Sequence, residues 1–233
     1  MLFFIILLND SLSCQHQQVF ARDTIYRGLN PSQNLSMESI EPFIENVTKK
    51  VSLSPENLEK LVTSFKVVKV RKKQFVIQPG FVAQQRIYVL KGAFRSYVID
   101  EKGNDVTIQF AIDDWWISDY NSYIYQTPAT QFVVALEDSI TLQIDFQSEQ
   151  KLKASGHQLE TLFRMMAEKS AAFYARRIVS NLTQNAEERY NEFREKYPKV
   201  VQRLPLYVLA SYLNMTREFL SKIRNHRVRK RAD

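Results

Sequence analysis

Cysteine and histidine are nearly missing from this chain. Cys14 is the single cysteine among 233 residues. That excludes a disulfide within the chain, leaves no thiolate set for a zinc or iron–sulfur site, and fits a reducing, cytoplasmic setting. The three histidines, His16, His157 and His226, are scattered without ligand spacing, so no metal and no other cofactor is expected. None lies between positions 16 and 157. This removes the cluster of histidine and carboxylate ligands that a jelly-roll metalloenzyme needs on its strands, and the chain is not expected to be an enzyme. Asp113 and Asp114 read as an acidic turn, with no partner that suggests acid–base chemistry.

Long apolar runs are lacking too. The longest at the start, MLFFIILL, covers 8 residues. It is too short to span a bilayer and has no basic flank of a secretory signal, so no membrane association is expected. Residues 9–36 are polar and aperiodic. Met37 is the expected functional start, with residues 1–36 an extension that is either disordered or not part of the native protein. Glycine is scarce, with 5 in all, and three of these, Gly80, Gly92 and Gly103, fall between apolar segments. Glycine at such breaks supplies the positive φ of tight turns.

What is present is ordinary globular composition, 45% hydrophobic and 24% charged, with a net charge of +7. The charge gathers at the end, where residues 217–231 hold 7 lysines and arginines against one acid, Glu218. A basic tail suits an anionic partner. The cluster Lys69, Arg71, Lys72 and Lys73 reads as a solvated face.

Residues 37–64 carry helical periodicity, with a stripe of Ile40, Phe43, Ile44 and Val47 and a second helix starting at Ser54 and Pro55. From 65 to 146 the period falls to two. The runs FKVVKV, QFVIQ, IYVL, AFRSYVI, VTIQF, QFVVAL and ITLQI, separated by turn residues, predict a sandwich or jelly roll. Residues 147–182 then read as one long helix. Leu159, Met166 and Phe173 recur 7 apart, flanked by Leu162 and Phe163. Such a repeat suits either packing on the chain's own barrel or a homodimer seam, and the residues that follow favour the dimer. A further helix is expected at about 185–197.

Residues 204–227, LPLYVLASYLNMTREFLSKIRNHR, form the most informative segment. Leu206, Leu209, Ala210 and Leu213 give one helix an apolar face. Asn214 and Met215 break the pattern, and Thr216 is a good N-cap. Phe219, Leu220 and Ile223 share the inner face of a second helix. Arg217, Glu218, Ser221, Lys222 and Arg224 remain outside. This is the layout of a helix-turn-helix, whose second helix presents polar residues to the major groove of double-stranded DNA.

Together, the segments IYVLKGAFRSYVIDEKGNDVTIQFAIDDWWISD, ALEDS and AEERYNEFREKYPKVVQRLPLYVLASYLNMTREFLSKIR resemble the Crp/Fnr superfamily of bacterial transcription regulators over about residues 38–228. The wording is similar to the branch common in Bacteroidetes. The resemblance implies an α+β fold: N-terminal helices and a cyclic-nucleotide-binding-like jelly roll over 37–147, a long dimerisation helix over 148–182, and a winged-helix or helix-turn-helix domain with a basic tail over 183–233. It also implies that the recognition helix opens with Arg217 and Glu218 and places a basic residue, Lys222, one turn on. Arg217 can donate to guanine or phosphate, Glu218 can accept from cytosine, and Lys222 can donate to guanine. Ser221 suits a base or a phosphate, Arg224 a phosphate, and Thr216 at the start of the helix completes the DNA-binding set.

The resemblance also exposes a departure. Cyclic-nucleotide-binding members carry a Gly-Glu pair and, about ten residues on, an Arg-Ser pair that hold the ribose and the cyclic phosphate. Here Ser118 and Asp119 stand at the first place, and Pro128, Ala129 and Thr130 at the second. No lysine or arginine occurs between Lys102 and Lys151. A buried phosphate without a cation is unfavourable, so cyclic AMP is not expected to bind in the usual way. Trp115, Trp116, Ser118, Asp119, Tyr123 and Thr130 are the candidate lining of an effector pocket, the effector being unnamed. The aromatics among them suit plain packing equally well. The expected function is a dimeric, sequence-specific DNA-binding regulator, with RNA polymerase as a further partner. The alternative is a small-molecule or cyclic-nucleotide module with weak or secondary DNA binding.

Overall fold

The computed structural model describes residues 40–229, with side chains to residue 225. The expected extension over 1–36, the start at Met37, and the last residues of the basic tail lie outside the described residues.

Two short helices, α1 (Glu41–Thr48) and α2 (Pro55–Thr63), lead into eight strands. The Ser54 hydroxyl accepts from the Asn57 amide at 3.3 Å and starts α2 as its sequence predicts. The strands are β1 (Lys66–Val70), β2 (Phe75–Ile77), β3 (Gln85–Lys91), β4 (Ala93–Ile99), β5 (Asp105–Ile112), β6 (Trp116–Ile117), β7 (Phe132–Ala135) and β8 (Ser139–Asp145), with α3 (Tyr120–Tyr125) between β6 and β7. They form two four-stranded antiparallel sheets, ordered β1-β8-β3-β6 and β2-β7-β4-β5. Gly92, between β3 and β4, has φ +131°, and a Cβ there would lie 2.0 Å from Ser139 Oγ. Only glycine fits that crossing.

The long helix expected over 147–182 is instead two: α4 (Phe146–Ala154) and α5 (His157–Thr183). Ser155 and Gly156 interrupt it, and the carbonyl of Leu152 takes both the amide and the hydroxyl of Ser155. Then come α6 (Ala186–Lys196), α7 (Pro198–Arg203), α8 (Leu206–Tyr212) and α9 (Arg217–Arg229). Asn185 and Glu188 close a capping box on α6. The six-residue α7 was not legible in the sequence, being shorter than two turns. No strand follows Asp145 among the described residues, so the C-terminal part is helical.

Three apolar clusters hold the chain. The first packs α1, α2 and the start of α5 on one sheet, through Phe43, Phe65, Tyr88, Leu159, Leu162, Phe163 and Met166. The second lies between the sheets, around Phe94, Ile117, Tyr123 and Val133. The third joins the C-terminal helices to β5, with Phe110 set among Tyr190, Phe193, Val208, Leu209 and Leu220. At about 25 cal/mol per Å² of apolar surface, such burial is the main term holding each layer in place.

The first cluster corrects the expected seam. Leu159, Leu162, Phe163 and Met166 are 0%, 1%, 2% and 8% exposed inside their own subunit, and Phe173 packs on the third cluster. Their repeat reflects contact with the barrel and the C-terminal helices, so Leu159, Leu162, Phe163 and Met166 are not free to meet a partner, while Phe173 is half-buried.

Candidate nucleic-acid interface

The turn between α8 and α9 is built by its sequence. Asn214 has φ +54°, the left-handed conformation that asparagine tolerates at a helix end. The Met215 amide donates to Ala210 O at 3.0 Å and the Asn214 amide to Ser211 O at 3.1 Å. These are the two bonds of a Schellman cap. Thr216 Oγ1 then accepts from the Phe219 amide at 3.1 Å and opens α9.

Leu220 and Ile223, 0% and 7% exposed, anchor α9. Phe219 does not share their inward face: it is 43% exposed, because its position turns it past the edge of the contact with α8. On α8 the buried set is Val208, Leu209, Ala210, Tyr212 and, at the cap, Leu213, while Leu206 is half-buried. Thr216, Arg217, Glu218, Lys222 and Arg224 are exposed and Ser221 is half-buried. Among the described residues, none of Arg217, Glu218, Lys222 and Arg224 is held in an ion pair with its side chain. One helix therefore carries free donors and an acceptor on the side away from its anchor.

This helix pair is fastened to the barrel. Ser211 Oγ donates to Asp105 O and accepts from the Thr107 amide, both at 2.8 Å, so α8 covers the open edge of β5. The β4–β5 register slips between Ser96 and Tyr97, leaving Ile108 as the extra residue of a bulge. Arg177 of α5 satisfies that bulge by donating to the carbonyls of Ile108 and Thr107. It also donates to Tyr212 O at 3.1 Å and lies over the Tyr212 ring at 4.1 Å. Burial pushes the Tyr212 phenol up to about 12, against the opposing pull of the Arg177 charge. Arg203 of α7 donates to Asp113 at 2.6 Å, to Gly92 O at 3.0 Å and to Glu137. Asp113 also accepts from the Gly92 amide at 2.7 Å, and Asp114 from the Tyr88 hydroxyl at 2.9 Å. The acidic pair is structural.

The six candidate pocket residues do not form one lining. Trp115 stacks on Phe110 at 5.5 Å and meets Tyr197 at 5.8 Å, in the third cluster. Trp116 turns the other way, to Phe43, Phe65 and Tyr88. Trp116 lies on β6 and Trp115 just before it, and the two rings pack in different clusters. Ser118, Asp119, Tyr123 and Thr130 do gather around α3. The Asp119 carboxylate, fully buried, accepts from the amides of Ser122, Thr130 and Gln131 at 3.1, 2.9 and 3.2 Å. Ser118 Oγ donates to Gln85 O at 3.0 Å.

The expectation of no cation near this region is corrected. Arg86 comes in from β3 and Lys153 from α4, both outside the stretch 103–150 that holds no lysine or arginine. They meet Glu149 at 3.4 and 2.6 Å, and the Tyr123 hydroxyl donates to the same carboxylate at 3.0 Å. Arg86 is packed against the rings of Trp116 and Tyr120 at 5.1 and 5.2 Å. Both cations thus share one carboxylate of the chain itself, Glu149.

Compared by sequence, the chain matches no family model and no curated protein. Its fold is nevertheless that of known regulators. It is similar to the c-di-GMP-responsive global regulator CLP of Xanthomonas campestris, with a TM-score of 0.60 at 11% identity over 75% of this chain and 92% of that one. FixK2 of Bradyrhizobium japonicum gives 0.59 at 17% identity, over 70% and 83%. A mutant of CooA from Carboxydothermus hydrogenoformans gives 0.58 at 16% identity, over 78% and 83%. The chain has the α+β fold of the Crp/Fnr-type regulators, with a cyclic-nucleotide-binding-like jelly roll. No helix among the described residues is long and apolar enough to cross a membrane, and none of them form a group of three or more histidine, cysteine, aspartate or glutamate side chains placed to hold a metal ion.

Proposed function

We propose that this protein is a sequence-specific, DNA-binding transcription regulator that acts as a homodimer. The exposed polar face of α9, anchored by Leu220 and Ile223 and opened by the Thr216 cap, carries this reading. Arg217, Glu218 and Lys222 address base edges, Ser221 a base or phosphate, and Arg224 a phosphate. Phe219 joins them as an apolar contact for a thymine methyl group. Selection of bound sequences from a random DNA pool tests the reading. The wild type should return a two-part motif, and Arg217→Ala should relax it at one position and weaken binding by about 1–3 kcal/mol. An unchanged motif would remove Arg217 from base recognition, and no enriched motif at all would sink the DNA-binding reading.

A homodimer supplies the second half-site. The strip that supports it is Ala171, Ala175, Ile178 and Leu182, exposed and spaced 4, 3 and 4 apart on α5. Ile178, Val179 and Leu182 are 59%, 57% and 80% exposed. This heptad register lies on the side of α5 opposite Phe173 and Arg177.

The barrel is read as one that does not take cyclic AMP in the usual way. Asp119 already occupies the amides of Thr130 and Gln131, and Glu149 already pairs with both Arg86 and Lys153. A phosphate entering there would face carboxylates whose partners it must displace. Calorimetric titration with cyclic AMP should show no binding, and micromolar affinity would overturn this part of the reading.

A further inference from the structure

The Schellman bonds at the end of α8 use the carbonyls of Ala210 and Ser211. The next three carbonyls, of Tyr212, Leu213 and Asn214, take donors from two guanidinium groups. Arg177 reaches Tyr212 O at 3.1 Å. Arg189 of α6 reaches Leu213 O at 3.0 Å through Nε and Asn214 O at 3.3 Å through Nη2. Its Nη1 donates to Gln184 O at 2.6 Å. Carbonyls at a helix end need partners from outside the helix, and a cation suits the negative end of the helix dipole.

Gln184 and Asn185 form the joint between α5 and α6. Both have extended backbone, with φ −105° and ψ 145° at Gln184 and φ −74° and ψ 169° at Asn185. Two side-chain contacts brace this joint: Gln184 Nε2 donates to Glu192 at 2.8 Å, and Ser180 Oγ donates to Gln184 Oε1. Neither reaches the turn before α9. Arg189 does, because it joins residue 184 to residues 213 and 214, which lie 24 and 25 positions from it. Its planar fork serves both ends together, which a lysine ammonium cannot. Arg177 also holds α8, but it spends two donors on the β5 bulge. The bonds of Arg189 run to the joint and to the turn.

We infer that Arg189 is a positioning residue that sets the spacing between the two half-sites of the operator. The inference rests on the homodimeric, DNA-binding reading above. In that dimer the exposed strip of α5 lies at the two-fold axis, and each α9 reads one half-site. The path from the axis to α9 runs through the Gln184 joint. A tilt there moves the two copies of α9 in opposite directions. One base pair is about 3.4 Å along the duplex, so a shift of that size at α9 changes the spacer that fits. Arg189 bonds main-chain groups ahead of Thr216, so the base-facing side chains of α9 keep their own arrangement when it is lost.

The test uses the full chain. Selection from a random DNA pool gives the motif, and gel-shift titration then compares that motif with versions whose spacer is one base pair longer or shorter. The wild type should prefer its own spacer at least tenfold. Arg189→Met should return the same half-site bases but discriminate between spacers less than threefold. Arg189→Lys keeps the charge and reaches fewer acceptors. It should show the same loss with circular dichroism and melting temperature near wild type, and it decides the matter where Arg189→Met does not fold. Lys199→Met, which removes an exposed cation from α7, should keep the tenfold preference. Wild-type spacer discrimination in the Arg189 variants would overturn the assignment. So would altered half-site bases, since Arg189 would then shape α9 itself. A wild type without a two-part motif would fail the dimeric reading, and this inference with it.

Discussion

Arg177 lies over the Tyr212 ring at 4.1 Å and donates to the carbonyl of the same residue at 3.1 Å. One side chain of the long helix thus holds the helix pair by its ring and its backbone, while its other donors close the β5 bulge. Removing it leaves the carbonyls of Thr107, Ile108 and Tyr212 without their donor, and each buried group so abandoned costs about 1–3 kcal/mol. Arg177→Met should therefore lower the melting temperature and speed amide exchange in β5 around the bulge and in α8, while α1 and β3 stay protected. Arg177→Lys should rescue little, since an ammonium lacks the planar fork that spans three acceptors. Hydrogen exchange followed by mass spectrometry reads both, and uniform protection in Arg177→Met would show the junction to be held elsewhere.

The same helix separates two kinds of apolar residue, and substitutions should separate them again. Ile178→Glu with Leu182→Glu alters side chains already in water, so the monomer should keep its melting temperature. Sedimentation should then show the dimer lost, together with its operator complex. Met166→Ala, by contrast, opens the first core cluster and should destabilise the fold by about 2–5 kcal/mol. A dimer that survives the double charge substitution would place the seam on another surface.

That contrast shows what was legible in the chain and what was not. A repeat of 7 marks one face of α5 as apolar, but Leu159 and Ile178 carry the same signal although they face different neighbours. Which face the barrel consumes depends on where β3 and α1 lie, and no local pattern encodes that. The strands, the Ser54 and Thr216 caps and the Asn214 break were readable, because each rests on interactions within a few residues. Phe219 was misplaced because its orientation depends on the breadth of the α8 contact. Arg86 and Lys153 were missed for the same kind of reason: they reach Glu149 across 63 and 4 positions, and the longer of these contacts forms only in the folded barrel.

Acid should loosen the join between barrel and long helix. The Asp145 carboxylate caps α4, accepting from the Ser148 amide at 2.8 Å and hydroxyl at 2.9 Å. The bond from the Ser148 amide holds its acid below the ordinary value. A lowered folded value means that the charged form stabilises the fold. The contribution is complete above the unfolded value of about 3.9 and disappears as pH falls through the lower folded value. Asp145→Asn keeps an N-cap acceptor but cannot titrate, so its stability should fall less steeply than the wild type's below about pH 4. Asp145→Ala should lose about 1 kcal/mol at neutral pH. Urea denaturation at a series of pH values measures both, and parallel wild-type and Asp145→Asn profiles would remove Asp145 from the acid response.

Leu220 and Phe219 are neighbours on α9 with opposite exposure, and they should fail in opposite ways. Leu220→Ala removes a fully buried anchor and should cost about 2–5 kcal/mol of stability. It weakens DNA binding only because the helix is no longer held. Phe219→Ala changes a side chain that is 43% exposed, so stability should stay within about 0.5 kcal/mol of wild type. If Phe219 meets a thymine methyl group, its loss should weaken operator binding and flatten the preference for thymine over cytosine at one position. Melting curves and competition gel shifts on the selected motif, paired with its thymine-to-cytosine variants, separate the two effects. Undiminished discrimination in Phe219→Ala would leave Arg217, Glu218 and Lys222 as the base-reading set and Phe219 as a bystander.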